Sequence, residues 1–218
     1  MRKKTKYDFI CGFTLLALFI LWTVLVSFAN VQPIGPKESE VGLASINGLF
    51  HKLTGVHMWM YELTDLLSLI PLAIIVGFGL LGLVQWIGRK SFLKVDFSIL
   101  ALGGFYVVVL AAFAFFEVVV INYRPVLIEG VPEASYPSST TMLMMCVMPT
   151  AMMQFQRLIK NKALRRTVSI ACIIFTAFMV ILRLISGVHW LTDIFGGAVL
   201  STALVILYKA VCGLEKKQ

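Results

Sequence analysis

The stretch TVSIACIIFTAFMVILRLISGVHWLTDIFGGAVLSTALVILYKAV, residues 167–211, decides how the chain is read. Two apolar runs, Thr167–Ile185 and Ile194–Val211, meet at a short segment that holds His189 and Asp193, with Arg183 near the end of the first run. Each run is near the ~20 residues that cross a hydrocarbon layer about 30 Å thick. An ionisable side chain at that depth costs roughly 2.5–3.5 kcal/mol, so three together mark a site rather than a pair of interfacial anchors. A helix starting near Trp190 puts His189 and Asp193 about one turn apart on one face. The carboxylate then holds the imidazole in one tautomer and leaves the other ring nitrogen free as a nucleophile. Arg183 precedes the Gly187 turn, close enough to fold its forked donors back toward an anion attacked by His189.

The rest of the chain is of the same kind. It has 218 residues, 59% of them hydrophobic, against about 45–50% in soluble domains. Apolar runs at Phe9–Phe28, Leu66–Ile87, Phe97–Val120 and Thr141–Phe155 add to the two already named. The fourth is short and contains Pro149. The expected fold is all-α, a single-domain bundle of six transmembrane helices with no separate soluble domain. The segment from Asn30 to about Asp65 leaves the membrane through Val31-Gln-Pro-Ile-Gly-Pro36. Within it Ile46, Leu49, Phe50 and Leu53 recur at helical spacing, which predicts an amphipathic helix lying in the outer interface. Trp59 and Tyr61 suit the same headgroup level, and His51 and His57 read as solvated interfacial residues.

The net charge of +8 is distributed as topology signals, not as a nucleic-acid surface. Arg2, Lys3, Lys4 and Lys6 precede the first span, and Arg89, Lys90 and Lys94 follow the second. Arg157, Lys160, Lys162, Arg165 and Arg166 follow the fourth, and Lys209, Lys216 and Lys217 close the chain. Six spans put all of these on one side, so the positive-inside rule places both termini in the cytoplasm of a multi-pass cell-membrane protein. Ser27-Phe28-Ala29 resembles a cleavage site, but the preceding apolar run is longer than a signal peptide's, so an uncleaved anchor is expected. Cys11, Cys146, Cys172 and Cys212 lie in or beside apolar spans without disulfide or zinc spacing. Gly77-Phe-Gly79-Leu-Leu-Gly82 matches a dinucleotide fingerprint in letters only, since it lies inside a span; with Gly103-Gly104 and Gly196-Gly197 it reads as close helix packing. The methionines between Met142 and Met153 read as core or lipid contacts.

Two further segments reach the face that carries His189. The third span ends in Glu117-Val-Val-Val-Ile-Asn-Tyr-Arg124-Pro125, and the fourth begins with Tyr136-Pro137-Ser138-Ser139-Thr140-Thr141. Proline followed by hydroxyl residues is a helix start, and that end of a helix favours phosphate. Two arginines, a helix N-terminus and an oriented histidine suit phosphoryl transfer.

These segments resemble the signature of the type-2 phosphatidic acid phosphatase superfamily, the lipid phosphate phosphatases related to vanadium haloperoxidases. The signature is Lys-x6-Arg-Pro, then Pro-Ser-Gly-His, then Ser-Arg-x5-His-x3-Asp. Arg124-Pro125 matches the end of the first motif, Pro137-Ser138 the start of the second, and Arg183, His189 and Asp193 the third. The resemblance implies a cofactor-free, metal-free phosphohistidine mechanism at the extracytoplasmic face, with a membrane lipid phosphate or polyprenyl diphosphate as substrate. His189 would be the nucleophile and Asp193 its orienting partner. Arg124, Arg183, Ser138, Ser139 and Thr140, with nearby backbone amides, would hold the phosphate oxygens. The sequence departs from the signature at Glu117 for lysine, Ser139 for glycine, Thr140 for the histidine that protonates the leaving group, and Leu182 for serine. Loss of a general acid typically costs ~10²–10⁴ in rate. Three outcomes are compatible with it: a leaving group that needs no proton, Glu117 acting as the acid, or a pseudophosphatase that binds a head group without turning it over. Transfer of the phosphoryl group to another alcohol is a further alternative. Glu117, seven residues before Arg124 and expected on the same helix face, is equally a candidate salt-bridge partner for Arg124 or Arg183.

Overall fold

The computed structural model describes residues 3–215. Eight α-helices follow one another: α1 (Lys3–Phe28), α2 (Ala44–Thr54), α3 (Met58–Leu67), α4 (Leu69–Arg89), α5 (Phe97–Val118), α6 (Ser139–Leu158), α7 (Lys162–Ile185) and α8 (Leu191–Cys212). The architecture is an all-α bundle. Among the described residues, five helical runs are long and apolar enough to cross a membrane: α1, α3 with α4 (Met58–Arg89), α5, α7 and α8. Their outward faces carry large apolar side chains such as Leu21, Val84, Val107 and Ile174, all well exposed. That is the pattern of a lipid-facing surface.

The fourth expected span is different in kind. α6 has 20 residues, ten of them buried, among them Thr140, Thr141, Thr150 and Gln154. It packs against both α7 and α8, and its sequence is only moderately apolar because protein surrounds it. Pro149 sits inside this helix, and the next residue, Thr150, donates its hydroxyl back to the Cys146 carbonyl at 2.7 Å. Met144 and Met148 pack with Cys172 and Met179 of α7, so these methionines are core. The four cysteines are free.

α1 lies along α8, where Gly12 admits the Leu207 side chain: a Cβ at Gly12 would stand 2.6 Å from it. Gly196 is pressed by the Tyr136 ring and Gly197 by the Ser138 carbonyl, as close packing requires. The expectation fails for Gly77, Gly79, Gly103 and Gly104, where an added Cβ would meet nothing within 4 Å; these glycines sit on open helix faces. α2 forms where the spacing placed it, with Ile46, Leu49 and Leu53 exposed and Asn47 buried.

Two of the boundaries that differ from expectation bear on the site. Helical structure resumes at Met58, ahead of the expected span start at Leu66, because Met58–Leu67 is itself apolar enough to form α3; Ser68 joins it to α4. At the other end α5 stops at Val118, where a run of β-branched residues favours extended chain. Residues 119–138 then form a hook over one end of the bundle. Isolated bridges pair Tyr123 with Ala134 and Ile128 with Val131, around a tip whose Glu129 and Gly130 both have positive φ.

The opposite end is stapled by ion pairs: Arg89–Asp96 at 2.7 Å, Arg157–Glu215 at 2.8 Å and Lys209–Asp8 at 2.9 Å. Being partly solvated, each is worth little. Arg89 holds the Asp96 carboxyl below its usual range, chiefly through this hydrogen bond.

Candidate active site

The hook, α3, the N-terminus of α6 and the α7–α8 turn converge on His189. Gly187 has φ +69°, the turn expected between α7 and α8. Trp190 is the N-cap of α8, and Asp193 at its third position accepts the Trp190 backbone N–H at 2.8 Å. His189 and Asp193 are both essentially inaccessible to solvent. Their closest approach, Nδ1 to Oδ2, is 3.6 Å, outside hydrogen-bond range. The hydroxyl of Ser135 lies between them: its Oγ is 3.1 Å from His189 Nδ1 and donates to Asp193 Oδ2. Asn122 donates to the other carboxylate oxygen at 3.4 Å.

On the far side of the ring, Arg124 Nη1 stands 3.1 Å from His189 Nε2. Arg124 is fixed by the hook, with its backbone N–H donating to the Glu133 carbonyl and its Nε 3.0 Å from the Glu133 carboxylate. Burial first, and then the positive charges of Arg124 and Arg183, push the His189 pKa well below its ordinary value. The imidazole is therefore neutral near pH 7, as a nucleophile must be.

Arg183 is held from a side the sequence did not suggest. Its guanidinium turns to α3, donating to Thr64 Oγ1 at 2.9 Å and to the Tyr61 carbonyl at 3.4 Å. Asp65 lies 3.9 Å away. The Tyr61 ring sits under both cations, 4.4 Å from the Arg183 guanidinium carbon and 5.7 Å from that of Arg124. A ring face attracts cations, so Tyr61 brings the two forks together despite their like charge. The Nε of Arg183 is buried without a partner.

Ser138 is buried as the N-cap of α6; its Oγ accepts the Thr141 N–H at 3.4 Å, and its own N–H donates to the Asp193 carbonyl at 3.1 Å. That second bond ties the second motif to the third. Thr140 is buried in the first turn of α6. Ser139 borders a small recess together with Glu117, Ser135, Tyr136 and Met142. Glu117 is exposed at the end of α5 and does not share a helix with Arg124, because α5 ends one residue after it. The ion pairs of Arg124 and Arg183 are made with Glu133 and Asp65 instead of Glu117.

Six residues of this constellation were not expected at the site: Tyr61, read only as a headgroup-level aromatic, and Thr64, Asp65, Asn122, Glu133 and Ser135. Asn47 is a seventh, buried on α2 and bonded to Thr192 beside Asp193. A buried polar residue on an otherwise apolar helix face was the one signal available for Asn47 and Thr64. His51 and His57, expected to be solvated, are partly buried, the first against the Trp190 ring, the second with its backbone N–H on the Ser186 carbonyl. Among the described residues no group of three His, Cys, Asp or Glu side chains gathers to hold a metal ion.

The fold has a counterpart among solved structures. The fold matches the crystal structure of the first transmembrane PAP2-type phosphatidylglycerolphosphate phosphatase from Bacillus subtilis, with TM-score 0.61 and 19% identity over 94% of this chain and 98% of that one. Among curated proteins no sequence matches significantly. The sequence profile described as PAP2 superfamily matches residues 73–215, which takes in α5 to α8 and all three motif segments. This chain belongs to the PAP2 superfamily.

Proposed function

We propose that the protein is an integral membrane phosphatase that hydrolyses a lipid phosphate or diphosphate at the extracytoplasmic face through a phosphohistidine on His189. One observation carries this reading. A buried, neutral imidazole presents Nε2 to an arginine fork while its other nitrogen faces a buried carboxylate through Ser135. Two arginines brought to one aromatic ring supply donors for the oxygens of a single phosphoryl group. α6 supplies a sixth crossing and α2 rests in the outer interface. The Lys and Arg distribution puts the termini in the cytoplasm.

In the first step Nε2 attacks phosphorus, a P–N bond forms and the bond to the leaving oxygen breaks. Water then attacks the phosphohistidine, releasing phosphate and returning the neutral ring. Guanidiniums and imidazole provide the charge stabilisation and the nucleophile, so no metal is required. With Thr140 where the family places its acid histidine, a leaving lipid alkoxide would need a proton that a threonine does not give. An alkoxide is about as basic as hydroxide, from water of pKa about 15.7. A departing phosphate monoester has its second pKa near 6. Diphosphates therefore suit this site best. The same departure at Thr140 favours the second reading, a protein that binds a phosphorylated head group without turnover.

The test is phosphate release by purified protein in detergent from phosphatidic acid, phosphatidylglycerol phosphate and undecaprenyl diphosphate, with His189→Ala alongside. Turnover is expected to be fastest on the diphosphate, indifferent to EDTA and inhibited by vanadate. Equal background release by both proteins on every lipid rejects the enzyme reading in favour of the binding one.

A further inference from the structure

His189 and Asp193 do not touch. Asp193 Oδ2 is held by the Trp190 N–H, and Oδ1 faces Asn122, so the carboxylate is fixed 3.6 Å from the ring. The donors around the imidazole decide where its proton lies. Arginine has no acceptor, so Arg124 Nη1 at 3.1 Å donates, and Nε2 must offer its lone pair. Nδ1 therefore carries the hydrogen and gives it to Ser135 Oγ at 3.1 Å, while the hydroxyl hydrogen goes to Asp193 Oδ2. The chain of donors runs one way, from imidazole through hydroxyl to carboxylate. Ser135 is itself fixed: it is buried, and its backbone N–H donates to the Asn122 carbonyl at 2.9 Å.

We propose that Ser135 is a positioning residue of the reaction, the link through which Asp193 sets the tautomer and angle of His189 and shares the positive charge the ring acquires when Nε2 bonds to phosphorus. The proposal rests on the phosphohistidine reading. It replaces a direct carboxylate–histidine contact by a hydroxyl-bridged one, contributed by the hook and not by α8. No proton leaves the relay in the attack step: Nδ1 keeps its hydrogen, and the serine dipole turns the negative charge of Asp193 toward the ring.

The experiment compares wild type, Ser135→Ala and Ser135→Thr on undecaprenyl diphosphate, with His189→Ala as the background. Ser135→Ala should lower kcat on the order of 10²-fold, the usual cost of a reacting group about 1 Å out of place, with KM nearly unchanged because Ser135 lies behind the ring. Ser135→Thr keeps the hydroxyl, so most of the turnover should return. Retention of wild-type kcat by Ser135→Ala overturns the proposal, since Asp193 would then reach the ring unaided. Equal losses in Ala and Thr overturn it too, because the hydroxyl would not be what matters. A second measurement does not depend on turnover. In protein labelled with 15N-histidine, the His189 signals, identified by their absence from His189→Ala, should report the Nδ1–H tautomer in wild type and a mixture in Ser135→Ala. An Nε2–H ring in wild type rejects the relay even if the protein is an active phosphatase. Failure of wild type to exceed His189→Ala, with the Nδ1–H tautomer present, rejects the phosphatase reading and leaves the relay standing as structure.

Discussion

Gly187→Ala should disable the site without removing any of its proposed chemical groups. Gly187 has φ +69°, and a Cβ there would stand 1.9 Å from the Gly55 carbonyl oxygen, 2.9 Å from its carbon and 3.2 Å from Val56 Cα. The left-handed conformation alone costs a residue with a Cβ about 1–2 kcal/mol. The collision costs more, because both partners are backbone and neither has a rotamer to change. Relieving it even to the tightest contact a Cβ shows, near 3.0 Å, needs a displacement of about 1.1 Å. His189 is two residues away and must share that movement, and 1 Å of misplacement is worth on the order of 10² in rate. The assay is phosphate release in detergent, read beside the thermal unfolding midpoint. The matched control is Gly130→Ala in the hook, where φ is +80° but an added Cβ meets nothing within 4 Å. The control should lose about 1 kcal/mol of stability and keep its turnover. Gly187→Ala within three-fold of wild-type kcat would refute the steric argument, and equal loss in both variants would assign the effect to backbone conformation instead.

Other expectations follow from the same contacts. Tyr61→Leu removes the ring beneath Arg124 and Arg183, so KM should rise about 10-fold, equivalent to about 1.4 kcal/mol of substrate binding, while Tyr61→Phe keeps the face and should stay near wild type. Asn47→Ala strips partners from the Gly42 carbonyl and from both the N–H and hydroxyl of Thr192; the loss should be on the order of 3 kcal/mol, seen as a lower unfolding midpoint. The depressed His189 pKa sets a sign for pH. Above about 6.5 the ring is neutral both folded and unfolded, so it contributes no slope; as pH falls below 6.5 the unfolded chain takes a proton that the folded site refuses, and stability declines by at most about 1.4 kcal/mol per pH unit. The midpoint should thus fall between pH 6.5 and 5 by more in wild type than in His189→Ala. The acid limb of kcat/KM should lie below 6.5.

The legible part of this protein was what local chemistry determines. His189 and Asp193 stand in a polar interval between apolar runs, with Arg183 near the end of the first, and the α7–α8 turn follows from Gly187 and the start at Trp190. Ser138 capping α6 was equally readable, being a hydroxyl residue before a long helix. What escaped is what only folding assembles. Ser135 precedes its helix by four residues and matters because the hook crosses back over α8. Tyr61 read only as a headgroup-level aromatic and Thr64 as part of the outside segment, since Glu62 and Asp65 interrupt the apolar pattern of α3. Glu117 was placed beside Arg124 by counting seven residues along a helix that ends at Val118. α6 looked the weakest of the spans for the reason that makes it central: its polar residues face neighbouring helices, where hydropathy says nothing about depth.

The bond from Arg124 to His189 Nε2 has one more consequence. A nitrogen has a single in-plane lone pair, and it cannot serve a guanidinium and a phosphorus atom at the same moment. In the proposed reaction Arg124 would therefore have to move from the ring nitrogen onto the phosphoryl oxygens before Nε2 could bond to phosphorus. Substrate binding and the freeing of that lone pair would then be a single event.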